Sequence, residues 1–275
     1  MRSRSTRTLA AVTILAAAAL VAVATAAAAH KAVTPPPSIK SAGQIVWCSD
    51  MTYPPEESQV GSTPVGSDID IGKAVAALMG VNASFKNTGF DGIIAALLGK
   101  RCDAIISGMT DNAQRRKQVD FTDYANVGMS LMVKAGNPSH ITGLDSLSGK
   151  SVAAESGTTE KDVLTALNVT LKKQGKPTIS IKIFPSDTNA AAALLTGKVD
   201  AYFADDPPVG YYVKKSGGKF EVAASKIQSA PIGIATRKGD PLGPAMKKAI
   251  AQLYANGTMA TILKKWGMSS FALKK

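Results

Sequence analysis

From residue 44 onward, apolar runs of strand length alternate with segments whose apolar residues recur at helical spacing, and short Gly-bearing turns separate them. Residues 44–49 read as a strand. Ile71, Val75, Leu78 and Met79 then fall on one face of a helix expected at 69–79, which stops at Gly80. A second strand is expected at 81–85, then a helix at 91–98 in which Ile93, Ile94, Leu97 and Leu98 form the buried stripe ahead of Gly99. A strand at 103–107 completes a βαβαβ unit. A second unit of the same plan follows: strand 151–154, a helix carrying Val163, Leu164, Leu167 and Leu171, strand 179–184, a helix ending at Gly197, and strand 199–204. Two C-terminal helices, with Met246, Ile250 and Leu253 and then Met259, Ile262, Leu263 and Trp266, have no strands of their own and must pack back on an existing unit. This alternation specifies an α/β chain, and two similar units imply two lobes facing each other.

Each unit contains a strand that runs into a Ser-Gly-Thr cluster: Ser107-Gly108-Met109-Thr110 in the first and Ser156-Gly157-Thr158-Thr159 in the second. Open α/β sheets bind ligands just past the carboxyl ends of their strands. Gly108 permits close backbone approach there, Thr110 offers a hydroxyl, and Arg115 can grip both oxygens of a carboxylate. Alternatively, Arg115 belongs to a solvated basic run with Arg116 and Lys117.

The first residues change the picture. Arg2, Arg4 and Arg7 precede an Ala-rich apolar stretch that ends in small residues near Ala29, the pattern of an export signal over 1–29. An uncleaved anchor is the alternative. No Cys marks a lipid attachment site, and no later segment is apolar enough to span a bilayer. The mature chain is therefore expected outside the cytoplasm. Removing the three signal arginines from a net charge of +12 leaves +9. The lysines are scattered without interleaved aromatics, so no nucleic-acid partner is expected. Cys48 lies mid-strand and Cys102 at the start of another; an oxidising compartment permits their bonding, and the sequence leaves both states open.

In order along the chain stand Ser49-Asp50-Met51-Thr52-Tyr53-Pro54-Pro55, Gly89-Phe90-Asp91-Gly92-Ile93-Ile94, the Ser107 cluster with Arg115, and Val119-Asp120-Phe121-Thr122-Asp123-Tyr124. The Ser156 cluster, Val199-Asp200-Ala201 through Asp205, and Gly257-Thr258 to Lys265-Trp266-Gly267 follow. Together these resemble the extracytoplasmic polar amino-acid-binding proteins of ABC transporters, solute-binding family 3, over nearly all of the mature chain. The resemblance implies a two-lobed periplasmic binding protein fold of type II, with two doubly wound α/β domains joined by two hinge segments. A flexible leader would occupy 30–43, lobe 1 residues 44–124 plus 232–275, and lobe 2 residues 129–227, with hinges about 124–128 and 228–232.

It also implies site roles. Arg115 would pair with the ligand's α-carboxylate, helped by Ser107, Thr110, Thr159 and backbone N–H groups near Gly108 and Thr158, and Asp205 would take the α-ammonium. Without the resemblance, Asp205 reads equally as a helix N-cap before Pro207. Tyr53 and Phe90 would sandwich the ligand's aliphatic part, and Asp50 would reach its side chain; the plainer alternatives are core aromatics and a turn residue. Glu155 would stand at the pocket mouth. Glu56 departs from the family, which usually carries an apolar residue there. These carboxylates favour a cationic or polar ligand such as lysine, arginine, ornithine or glutamine. The expected partners are that free amino acid and a membrane permease, with the protein a monomer and no cofactor or metal.

His30 and His140 lack a nucleophile or metal partner, which counts against most enzymes. Between Gly143 and Gly149 lie five residues where a phosphate-binding loop has four, and a strand follows where a helix should. One enzyme survives: cyclohexadienyl dehydratase has a similar fold, and Glu155 or Glu56 could serve it as proton donor. A ligand sensor for a separate receptor is the other alternative.

Overall fold

The computed structural model describes residues 33–274, and the expected signal at 1–29 lies outside them. In chain order the elements are α1 (Pro37–Ala42), β1 (Gln44–Ser49), β2 (Ser58–Val60), β3 (Thr63–Val65), α2 (Ser67–Leu78), β4 (Asn82–Asn87), α3 (Ile93–Leu98) and β5 (Ala104–Ile105). There follow β6 (Val119–Lys134), β7 (Ser151–Glu155), α4 (Thr159–Lys173), β8 (Ser180–Phe184), α5 (Asp187–Leu195), β9 (Ala201–Asp205) and α6 (Asp206–Lys215). Last come β10 (Phe220–Arg237), α7 (Leu242–Ala255) and α8 (Thr258–Lys265).

An eight-stranded sheet runs in the order β4-β1-β5-β10-β6-β9-β7-β8. Its centre is the antiparallel ribbon of β6 and β10, paired from Phe220↔Lys134 to Arg237↔Val119. β5 joins this ribbon at Ala235, and β9 joins it further along, between Met129 and Met132. Each end of the ribbon thus carries its own parallel strands and its own core. The first half packs Ile45, Trp47, Ile71, Val75, Tyr124, Ile234, Met246 and Leu263 on one side of the sheet and Ile93, Leu97, Ile105 and Val119 on the other. In the second half, Leu131, Val152, Leu164 and Phe203 pack on one side and Met132, Ala190, Leu194, Tyr202 and Val209 on the other. Each fully buried large side chain stabilises its core by on the order of 1.5–3 kcal/mol.

The expected flexible leader at 30–43 is corrected over its described part. Pro at the first helical position starts α1, which buries Ile39 in the first core beside Val33. The sequence also hid the length of β6 and β10. The middle of β6 is buried almost throughout and that of β10 is exposed or half-buried, the two include Gly128 and Pro231, and their pairing breaks register between Ile227 and Ala230 and again between Ile232 and Gly233. The β2–β3 hairpin and α6 have no counterpart among the expected elements. Cys48 and Cys102 form a disulfide with a Cα–Cα distance of 5.7 Å, since adjacent strands β1 and β5 bring the two residues together.

Candidate functional site

The carboxyl ends of β1, β5, β7 and β9 converge where the two halves meet, and the loops after them line a narrow cavity. Its walls are Asp50, Tyr53, Phe90, Ser107, Gly108, Thr110, Arg115, Glu155, Thr158, Thr159 and Asp205, so the structure gathers all the residues singled out from sequence, and it adds Glu160. A wider, open groove lies elsewhere, lined by Phe121, Lys238, Lys247 and Tyr254 with the buried Asp111, Thr122 and Thr236, and all of its lining comes from the first half.

Arg115 and Arg116 are adjacent but differ in surroundings. Arg115 is 8 % exposed, whereas the Arg116 side chain is 62 % exposed and pairs with Asp111. The Arg115 guanidinium donates to the Thr110 carbonyl at 2.8 Å and, across the halves, to the Gly157 carbonyl at 3.1 Å. Phe90 lies beneath it, 5.2 Å from Cζ to the ring centroid, a cation–π contact. Among the described residues it has no carboxylate partner within salt-bridge distance. Burial lowers its pKa, and Glu160 and Asp205 oppose that shift.

Opposite the guanidinium stand carboxyl groups. Asp205 ends β9 at the N-cap position of α6, yet its side chain makes no capping bond; its backbone N–H donates to the Tyr53 hydroxyl at 3.2 Å. Glu160, in the first turn of α4, lies within proton-sharing reach of Asp205, and burial holds both above the usual carboxylate range. Glu155 is pushed up to about 10 by burial, with Asp50, Asp187 and Glu160 adding to the rise. Oε1 of Glu155 and Oε1 of Glu160 are buried without a hydrogen-bond donor.

Several polar groups expected to face a ligand are engaged by the protein itself. Asp50 makes the turn that was its plainer alternative: Oδ1 accepts from the Thr52 N–H and hydroxyl, and Oδ2 accepts from the Phe90 N–H at 2.8 Å. Its carboxylate still lines the cavity. The Gly108 N–H, expected to help bind a carboxylate, is instead donated to Asp68 Oδ2 at 2.8 Å, because Gly108 at φ 49° turns its amide toward α2. The Ser107 hydroxyl donates to Glu57 at 2.6 Å, and Thr158 donates to the Glu155 carbonyl. Thr110 and Thr159 meet each other across the halves at 3.4 Å.

Residues 45–269 match the bacterial extracellular solute-binding proteins, family 3. The chain belongs to this family. Among its relatives, the L-cystine-binding protein TcyJ of Escherichia coli K12 is 30% identical over 231 residues, covering 83% of this chain and 84% of that protein. An ancestral arginine-binding protein bound to arginine superimposes with a TM-score of 0.76 at 34% identity, over 82% of this chain and 98% of that one. An ancestral amino-acid-binding protein, a precursor of cyclohexadienyl dehydratase, gives 0.75 at 31% identity over 83% and 97%.

Within this family 3 protein, Glu160 is the wall residue that sequence reasoning missed. An acidic residue in the first turn of a helix complements the helix dipole and needs no further explanation. The available signal was its position immediately after the Ser156-Gly157-Thr158-Thr159 turn, one helical step into a pocket already marked by Thr159.

Proposed function

We propose that the protein captures one free amino acid with a cationic or polar side chain between two closing lobes and delivers it to the membrane permease of an ABC importer. The observation that carries this is the polarity of the cavity. One buried guanidinium without a carboxylate partner stands across from buried carboxyl oxygens without donors. An α-carboxylate at Arg115 and an α-ammonium at Asp205 and Glu160 satisfy both ends. A cationic side chain can then reach Glu155 and Asp50, which would otherwise remain uncompensated buried acids.

Lobe 1 would comprise residues 44–124 plus 232–275 and lobe 2 residues 129–227, bending about 124–128 and 228–232. The register breaks of the central ribbon and the division between the two cores support that placement. The protein would act as an extracytoplasmic monomer. The relatives' names favour binding over catalysis. The raised pKa of Glu155, which keeps a proton available, is the one feature that favours a dehydratase-like activity.

Ligand-stripped protein should be screened by thermal unfolding against the amino acids, ornithine, opines and prephenate. A ligand at a hundredfold excess over Kd adds about 2.7 kcal/mol, or roughly 5–11 °C for a chain of this size. A shift of that order with a cationic amino acid is expected. A response to prephenate alone would transfer the protein to the dehydratase class.

Gly157 supplies an independent check on closure. Its φ is 80°, and a Cβ there would lie 2.7 Å from Asp91 Cα in the opposite half. Gly157→Ala should cost on the order of 1–3 kcal/mol in the closed form, weakening capture roughly 10- to 100-fold. Calorimetric affinity equal to that of the unmodified protein would mean that the halves do not approach here when ligand is bound.

A further inference from the structure

We propose that Glu56 couples ligand capture to pH: it takes up a proton when the two halves close, so that capture tightens in acid. This rests on the closing-lobe function proposed above. Glu56 follows Tyr53-Pro54-Pro55 and is completely buried, with neither carboxyl oxygen facing a hydrogen-bond donor. It packs directly behind the cavity wall, its Cγ 4.0 Å from where a Cβ on Gly108 would stand. Its acidic neighbours in the same half are better served. Glu57 accepts from Ser107, and Asp68 accepts from the Gly108 N–H and the Tyr124 hydroxyl.

The loop carrying Glu56 meets the second half through the two residues at its start. Tyr53 meets the Asp205 N–H, and Thr52 accepts from the Asp187 N–H at 3.2 Å. The charged and titratable groups around Glu56 are Glu57 on its own loop, Asp68 on α2, Tyr124 on β6, Asp187 on α5 and Asp205 on β9. None of these is a cation. Arg115, the cation of the cavity, lies against carbonyls and Phe90 and is not among them. An ionised carboxylate sealed among like charges without a donor is costly, whereas the neutral acid is tolerated.

The sign follows from linkage. With the halves apart, Glu56 meets water and titrates in the ordinary range; in the closed form burial, reinforced by Asp68 and then Asp187, holds it well above that range. Closure is therefore fully favoured below the ordinary carboxylate pKa. Above it, closure weakens by up to about tenfold per pH unit until the closed-form value is reached.

X-ray scattering from ligand-stripped protein at about pH 5 and about pH 8 compares two points above the ordinary carboxylate pKa, about three pH units apart. The unmodified protein should contract on acidification, while Glu56→Gln, neutral at every pH, should already be shifted toward the contracted dimensions at the higher pH. L-arginine affinity should weaken with rising pH more steeply in the unmodified protein than in Glu56→Gln, by about one proton. Should Glu56→Gln fail to fold, proton uptake by the unmodified protein, read calorimetrically in buffers of different ionisation enthalpy, is compared with that of Glu56→Leu, since Glu155, Glu160 and Asp205 also contribute to the total. Unchanged dimensions in Glu56→Gln with parallel affinity profiles, or no proton uptake, would overturn the proposal. Absence of arginine binding would count against the proposed ligand class, and the scattering comparison stands independently of it.

Discussion

Arg115→Ala should severely weaken amino-acid binding, while Arg116→Ala next to it leaves binding intact. Arg115 is buried with its guanidinium in the cavity and no acidic partner of its own, so a ligand carboxylate would be its counter-ion. Truncating one member of a buried, hydrogen-bonded charge pair costs about 2–5 kcal/mol, which moves a micromolar ligand to between roughly tens of micromolar and several millimolar. Arg116 instead spends its charge on Asp111 at an exposed position. Arg115→Lys should restore little, since an ammonium cannot present two parallel donors to one carboxylate. Titration calorimetry of the three variants with the ligand found by thermal screening reads the difference. Equal loss in Arg116→Ala would remove Arg115 from the proposed role. Asp205→Ala should also weaken binding, by less than Arg115→Ala, because Glu160 remains beside the α-ammonium.

The double substitution Cys48→Ala, Cys102→Ala should destabilise the protein by about 4 kcal/mol. The disulfide closes a loop with a sequence separation of 54 residues, and the reduced unfolded chain recovers that loop's freedom. At this chain size the loss corresponds to roughly 8–16 °C in Tm. Urea unfolding of the double variant, alongside unmodified protein with and without reductant, measures it. A loss below about 1 kcal/mol would mean that the oxidised and reduced unfolded chains are similarly restricted.

Much of the architecture was legible because each half is built from local βα units, whose periodicity a single sequence displays. Ile71, Val75 and Leu97 mark their helices unaided. The central ribbon was not legible, since a strand such as β10, exposed or half-buried as far as Pro231 and continuously buried just beyond it, carries no single period. The site residues came into view as Ser-Gly-Thr turns at strand ends. What each polar atom does was hidden, because it depends on residues far away in sequence. The Gly108 amide serves Asp68, and Ser107 serves Glu57. Glu56, an exposed loop residue by composition alone, is completely buried behind the cavity wall.

The ribbon of β6 and β10 also sets an order of assembly. The second core draws on one continuous stretch, from Met129 to Ile227, whereas the first needs Ile45 and Trp47 early in the chain together with Ile234, Met246 and Leu263 near its end. As the chain emerges, the second core can condense as a unit while the first waits for distant partners. Pulse-labelling hydrogen exchange during refolding should find β7 and β9 protected before β1 and β4; simultaneous protection would refute that order. The Cys48–Cys102 bond, contained wholly within the early part of the first half, then has a kinetic role: it tethers a waiting fragment until the C-terminal residues arrive to complete it.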